Sequence, residues 1–250
     1  MRRWLLPVLL LALSIGAWQV ATGTGAIANL LDLEPFLVPS PAEIAESLWL
    51  NRSLLAENAW VTLREILLGF GCALIAGLGF AALLHRFTSL RLAYSPLLIA
   101  SQAIPIPVIA PILIVWFGYG IAAKLVIVAL VCFFPITVNA LAGLGSVDPD
   151  AIKLMRTLDA SRGQTFRRLE APAALPYVFV GAKIGAVLAP IAAVFAEWAG
   201  SSSGLGHLIR TDEAQLEVAR EFAAVVVLCA IALALYGLLA LAQRRVVSWR

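Results

Sequence analysis

The sequence predicts an all-α, polytopic membrane protein with six transmembrane helices, and three observations carry that reading. Hydrophobic residues make up 62% of the 250 residues and charged residues 13%, where a soluble domain averages about 25% charged; the mean hydropathy is +0.94. Apolar runs long enough to cross a bilayer recur along the chain. Basic residues gather in alternate connections between those runs. The net charge of +3 would hint at nucleic acid in a soluble chain. Here it follows the positive-inside rule, so no nucleic-acid partner is expected.

The first run, Trp4 to Val20, follows Arg2-Arg3. A basic start, an apolar core and small residues at Ala21-Thr22-Gly23 also fit a signal peptide. The run is long for one, so an uncleaved first helix is the reading adopted. Between Gly23 and Ala59 acidic residues dominate, and Pro39-Ser40-Pro41-Ala42-Glu43 marks the start of a short interfacial helix near Ala42–Leu50. The second span, Ile66 to Leu84, is preceded by Arg64 and Glu65, which are expected to snorkel to the headgroups. Gly69, Gly71, Gly77 and Gly79, with Ala73 and Ala76, offer small surfaces for helix contacts.

The third span, Ala93 to Trp116, contains Pro96, Pro105, Pro107 and Pro111 and cannot be a straight helix. Broken backbone at membrane depth is tolerated where it is buried in protein or lines a cavity. Gln102 there is either a pathway residue or an interhelical hydrogen bond, and Pro105 marks the break. Gly118-Tyr119-Gly120 is a tight turn. The fourth span, Lys124 to Leu144, holds Phe133-Phe134-Pro135 and Asn139. The fifth runs from Tyr177 to Trp198, with Gly181-x-x-x-Gly185 as a packing face, Lys183 placed to snorkel and Glu197 at its far end. A glycine-rich stretch, Gly200 to Gly206, is rejected as a phosphate cradle because no strand precedes it and no helix start is expected after it. A polar amphipathic helix with Arg210, Asp212, Glu213, Glu217, Arg220 and Glu221 follows, then the sixth span, Ala223 to Ala242. Cys72, Cys132 and Cys229 all fall inside apolar runs and read as small core residues.

The segment from Asp148 to Pro176 interrupts this pattern with five basic residues, Lys153, Arg156, Arg162, Arg167 and Arg168. Asp148-Pro149 is an N-cap acid before a proline at the first helical position. Ile152, Met155 and Leu158, with Leu154 beside them, make one face of that helix apolar. Ser161-x-x-Gln164 is a capping box for a second short helix, which Pro172 and Pro176 should limit. Arg2, Arg3, Arg86, Arg91, the five loop residues, Arg244, Arg245 and Arg250 fall on one side of the spans. Arg52, Arg64, Lys124, Arg210 and Arg220 fall on the other. That asymmetry places both termini and the loop in the cytoplasm.

These residues resemble a known family. The segment is similar to the cytoplasmic "EAA" loop of permease subunits in binding-protein-dependent ABC importers, a pattern of roughly E-A-A-x-x-x-G-A followed by an apolar residue and Leu-Pro. Ala160-Ser161-Arg162 and Pro172-Ala173-Ala174-Leu175-Pro176 fit it. Lys153-Leu154-Met155 stand where Glu-Ala-Ala would be, and Asp159 stands where the glycine would be, a position an aspartate can fill by entering the left-handed region. The Phe-Pro break before Asn139 resembles a second family motif. Ala196-Glu197-Trp198-Ala199-Gly200 and Gly204-Leu205-Gly206 are similar to the nitrate/sulfonate/taurine branch. The run from Arg156 to Gly206 looks most like permeases for a hydroxymethylpyrimidine-type thiamine precursor or a related vitamin.

The resemblance implies one permease domain over residues 1–250, with residues 148–176 as its coupling loop. It implies that Lys153, Leu154, Met155, Arg156, Asp159, Ala160, Ser161, Arg162 and Pro176 meet an ATPase. Gln102, Pro105, Asn139 and Glu197 are the candidate pathway residues. The expected assembly is a homodimer in the bacterial inner membrane, with two cytoplasmic ATPase subunits and a periplasmic or lipid-anchored binding protein. ATP and Mg²⁺ belong to the ATPase, and no cofactor is expected on this chain. The sequence carries no Walker phosphate loop and no H-E-x-x-H, and its only two histidines, His85 and His207, are not at metal-ligand spacing from each other. Two alternatives remain: the same importer class carrying a sulfonate, taurine or nitrate, or an ion-coupled secondary transporter, which would want midplane carboxylates.

Overall fold

A computed structural model describes residues 2–248, so Arg250 of the charge count lies outside the described residues. Every regular element among the described residues is helical. Five helices are long and apolar enough to cross a membrane, or six if one sharply bent pair is counted as a span. The chain divides into two compact units, Met1–Val61 with Ser203–Cys229, and Thr62–Ser202 with Ala230–Arg250.

In the first unit α1 (Arg2–Gly23) and α2 (Ala26–Leu31) precede α3 (Pro41–Leu50). The α3 start falls at the proline the sequence marks, and a reciprocal cap adds to it: Ser40 Oγ accepts from the Glu43 backbone N–H, and the Glu43 carboxylate accepts from the Ser40 backbone in return. Gln19 Oε1 accepts from the Ala42 N–H at 3.0 Å, tying α1 to α3. Later in the chain α10 (Leu205–Gln215) belongs here, together with the opening residues of α11 (Val218–Val246). The expected single amphipathic helix is instead broken at Leu216, which takes φ 59°. Asp212, fully buried, accepts from Arg220 across that break at 2.7 Å. A helix does start directly after Gly204, contrary to expectation, and the Gly204 N–H donates to Asn58 Oδ1 at 2.8 Å.

The second unit is built on α4 (Arg52–Arg86, whose first residues lie in the other unit), α7 (Ile121–Leu144) and α9 (Arg162–Gly200). The contact series Gly69 with Val128 and Gly77 with Ile136 shows that α4 and α7 run parallel. The series Gly143 with Ala174, Gly181 with Pro135 and Gly185 with Cys132 shows that α9 runs antiparallel to α7. A Cβ at Gly181 would stand 2.5 Å from the Pro135 carbonyl oxygen. Hydrogen at that position is therefore what lets the two backbones meet. On α4 only Gly69, Ala73 and Gly77, spaced by four, face α7; Gly71 and Gly79 meet nothing, and Ala76 is exposed. Ile66, Ala73, Ile127, Val128, Cys132, Ile136, Ala186 and Ala193 form the core of this unit. Of the cysteines only Cys132 is buried; Cys72 and Cys229 are exposed and so are not the core residues expected, although Ala73 beside Cys72 is fully buried.

The prolines of the third span have the expected consequence. Helices α5 (Thr88–Ser101) and α6 (Ile106–Phe117) meet at a 103° bend. The prolines of the loop do not: α9 runs unbroken through Pro172 and Pro176 for 39 residues. The turn just before them, Phe166–Glu170, is wound as a π-turn, with the Ala171 N–H reaching back to the Phe166 carbonyl. The wider turn shifts the carbonyls that a proline ring would strike, so the helix survives.

Candidate functional site

The loop between α7 and α9 forms α8 (Pro149–Thr157). Asp148 caps it by accepting from the Asp150 N–H at 2.8 Å. Its C-terminus closes as a Schellman motif, with the Ala160 N–H on the Met155 carbonyl and the Asp159 N–H on the Arg156 carbonyl. Asp159 takes φ 53° there, the left-handed conformation a glycine would take without cost. Ser161 and Gln164 form the expected reciprocal cap at the start of α9.

The apolar residues of α8 separate onto two sides. Ile152 and Met155 are half-buried toward the rest of the chain. Leu154 and Leu158 stand 61% and 69% exposed, four residues apart on the outward side. Lys153, paired with Asp150 at 2.8 Å, and Thr157 share that exposed surface. Behind α8 lies a cavity of about 660 Å³ lined by His85, Arg86, Ile152, Arg156, Arg162 and Glu170, among others. His85 Nε2 sits 3.1 Å from Glu170 Oε2 and joins the end of α4 to the π-turn. Arg156, Ala160 and Arg162 therefore line this inner cavity, while Leu154 and Lys153 face outward; Pro176 is buried within α9.

The candidate pathway residues fall in three places. Gln102 is the C-cap of α5 and lines a second cavity of about 480 Å³ at the bend. Pro105 caps α6 and is exposed at the same bend. Asn139 is half-buried and donates to the Pro135 carbonyl of its own helix at 2.8 Å, beside the Gly181 crossing.

Glu197 is 1% exposed and accepts from Thr62 at 2.6 Å. It belongs to a buried polar cluster that sequence reading missed. Lys124 Nζ donates to Glu65 at 2.6 Å and to Ser201 at 2.6 Å, and Glu65 Oε2 has no hydrogen-bond partner among the described residues. Glu65 thus does not snorkel: α4 begins at Arg52, well before Ile66, and turns this residue toward α7. Lys183 is likewise held within the protein, donating to Gln243 at 2.8 Å beneath the Tyr236 ring. The available signal was distance along the helices. Glu65, Lys124 and Glu197 each lie about 20 residues, or roughly 30 Å, from Arg86, Leu144 and Pro176, so they sit at one level.

The family model for the binding-protein-dependent transport system inner membrane component matches residues 69–249. The chain belongs to that family. It is the membrane-spanning permease subunit of an ABC importer, a transport component rather than a catalytic one. The permease is 36% identical over 246 residues to the riboflavin transport system permease protein RibX of Chloroflexus aurantiacus, covering 98% of this chain and 89% of that protein. It is 34% identical over 218 residues to the formylaminopyrimidine transport permease protein ThiX of Halalkalibacterium halodurans, covering 87% of each. Among solved structures, an amino acid ABC transporter crystallised with histidines shares its fold at a TM-score of 0.60 and 19% identity, over 80% of this chain and 97% of that one.

Proposed function

We propose that two copies of this permease form the conduit of an importer, driven by two ATPase subunits that grip α8 from the cytoplasm. The carrying observation is the pair Leu154 and Leu158, exposed on a capped helix whose opposite side is anchored in the chain. An apolar pair set among charged residues suits a groove on a partner. ATP and Mg²⁺ are held by that partner, and both termini of the permease lie on its side of the membrane, as the distribution of arginines implies. Lys153, Leu154 and Leu158 meet the ATPase, while Arg156 and Arg162 support α8 from behind. An extracytoplasmic binding protein delivers the solute. The relatives named for a formylaminopyrimidine and for riboflavin favour a heterocyclic vitamin or vitamin precursor over taurine or a sulfonate.

The test is co-purification of the permease with its ATPase subunit, comparing wild type with Leu154→Glu and Leu158→Glu. Loss of the ATPase and of uptake, with the permease still inserted, is the expected result. Retention of both in the double variant removes the docking role. Labelling of cysteines placed at Thr157 or Gln164 by a membrane-impermeant reagent added from outside overturns the orientation.

A further inference from the structure

The cavity at the α5–α6 bend is lined mostly by apolar and aromatic side chains. It measures about 480 Å³ and lies against Ile127, Leu130, Val131 and Phe133, at the middle of α7. Its wall is aromatic: the Phe80 ring meets Tyr94 edge-on at 5.5 Å and Phe133 at 5.7 Å. No Lys, Arg, His, Asp or Glu lines it.

Its one carboxamide is Gln102, whose side chain makes no hydrogen bond among the described residues. The neighbouring Ser101 hydroxyl is already committed to the Leu98 carbonyl at 2.7 Å. Gln102 is exposed where it caps α5 and borders the cavity, so its carboxamide is open to a ligand there.

The start of α6 lies in the same wall and in most helices would attract an anion. Here it does not. Pro105 and Pro107 carry no N–H, and the N–H groups of Val108 and Ile109 both turn back to the Pro105 carbonyl, at 3.0 and 3.3 Å. Ile106 alone keeps a donor, with no cation nearby to support it. A sulfonate or nitrate entering this space would lose its hydration and gain almost nothing in return.

We propose that this cavity is a binding site for an uncharged, planar nitrogen heterocycle, read along one edge by Gln102 and stacked on the Phe80–Phe133 wall, and that it discriminates against small anions. The carboxamide offers a donor and an acceptor side by side, and an aminopyrimidine or a flavin's pyrimidine ring offers the complementary pair, as when glutamine reads adenine. Aromatic faces hold such rings without regard to substituents. The proposal rests on the importer reading and deepens it by naming what the permease itself selects.

The experiment uses proteoliposomes containing the permease, its ATPase and its binding protein. Radiolabelled 4-amino-5-hydroxymethyl-2-methylpyrimidine, riboflavin and taurine are the probes. Wild type is expected to take up one of the two heterocycles and not taurine. Gln102→Leu should raise the KM for that heterocycle tenfold or more, the size expected for loss of a bidentate pair. Subunit assembly should stay intact and the effect should fall on KM rather than on the maximal uptake rate, a split that a merely structural role would not give. Phe133→Leu, which preserves bulk but not the ring, should raise the KM with assembly intact. Wild-type preference for taurine, uptake of neither heterocycle, or an unaltered KM in Gln102→Leu overturns the proposal. A wild-type complex that accumulates solute without ATP sinks the importer reading instead.

Discussion

Replacing Lys124 with methionine removes the ammonium from the buried cluster and keeps its length. At 2.6 Å the gross attraction to Glu65 is about 6 kcal/mol for an effective dielectric of about 20, most of which offsets the desolvation of the two ions. The pair as a whole therefore adds little. Breaking it is different, because Glu65, with its side chain 3% exposed and Oε2 already without a partner, is left as a lone charge. The expected loss is about 3–5 kcal/mol. Adding Glu65→Gln to Lys124→Met removes the stranded charge and should recover at least about 2 kcal/mol. Unfolding of the purified permease in mixed micelles, run as a double-mutant cycle, measures both numbers. A Lys124→Met loss below about 1 kcal/mol, or two single changes that simply add, would refute the idea that these groups depend on one another.

Three further outcomes follow from the packing and the caps. Gly181→Ala drives a methyl to 2.5 Å from the Pro135 carbonyl oxygen and should cost about 1–3 kcal/mol in the same unfolding measurement. Gly79→Ala, which meets nothing within 4 Å, should be neutral or slightly stabilising. Asp159→Gly relieves the left-handed strain at the end of α8 and should add about 1 kcal/mol, seen as slower hydrogen exchange at the Ala160 amide; Asp159→Val should do the reverse. Arg220→Leu leaves the fully buried Asp212 unpaired and should lower stability by about 3 kcal/mol or more, with Asp212→Asn in the same chain restoring part of it.

Local chemistry was legible in the sequence. The caps at Asp148 and Ser161 depend on groups two or three residues away, and each forms as read. The runs that cross the membrane were legible because hydropathy needs no knowledge of neighbours. The four prolines announced a break in the third span but not its 103° angle, which depends on what α6 packs against. Pro172 and Pro176 misled because nothing in the local sequence announces the π-turn that precedes them, where Glu170 meets His85 of α4. The sides of α8 were misread for the same reason. Ile152, Met155, Leu154 and Leu158 are equally apolar, and only tertiary docking decides which pair is covered. Glu65, Lys124 and Glu197 lie in three different helices, and nothing in their local sequence says that they meet.

The helical run of α9 from Arg162 to Gly200 is about 58 Å long. A swivel of roughly 5° about one tip carries the other by about 5 Å, which is more than the reach of any hydrogen bond. Glu197 sits close to that far tip, so the bonds joining it to Thr62 lie where the stroke is greatest and are the ones a pull on the opposite end strains hardest.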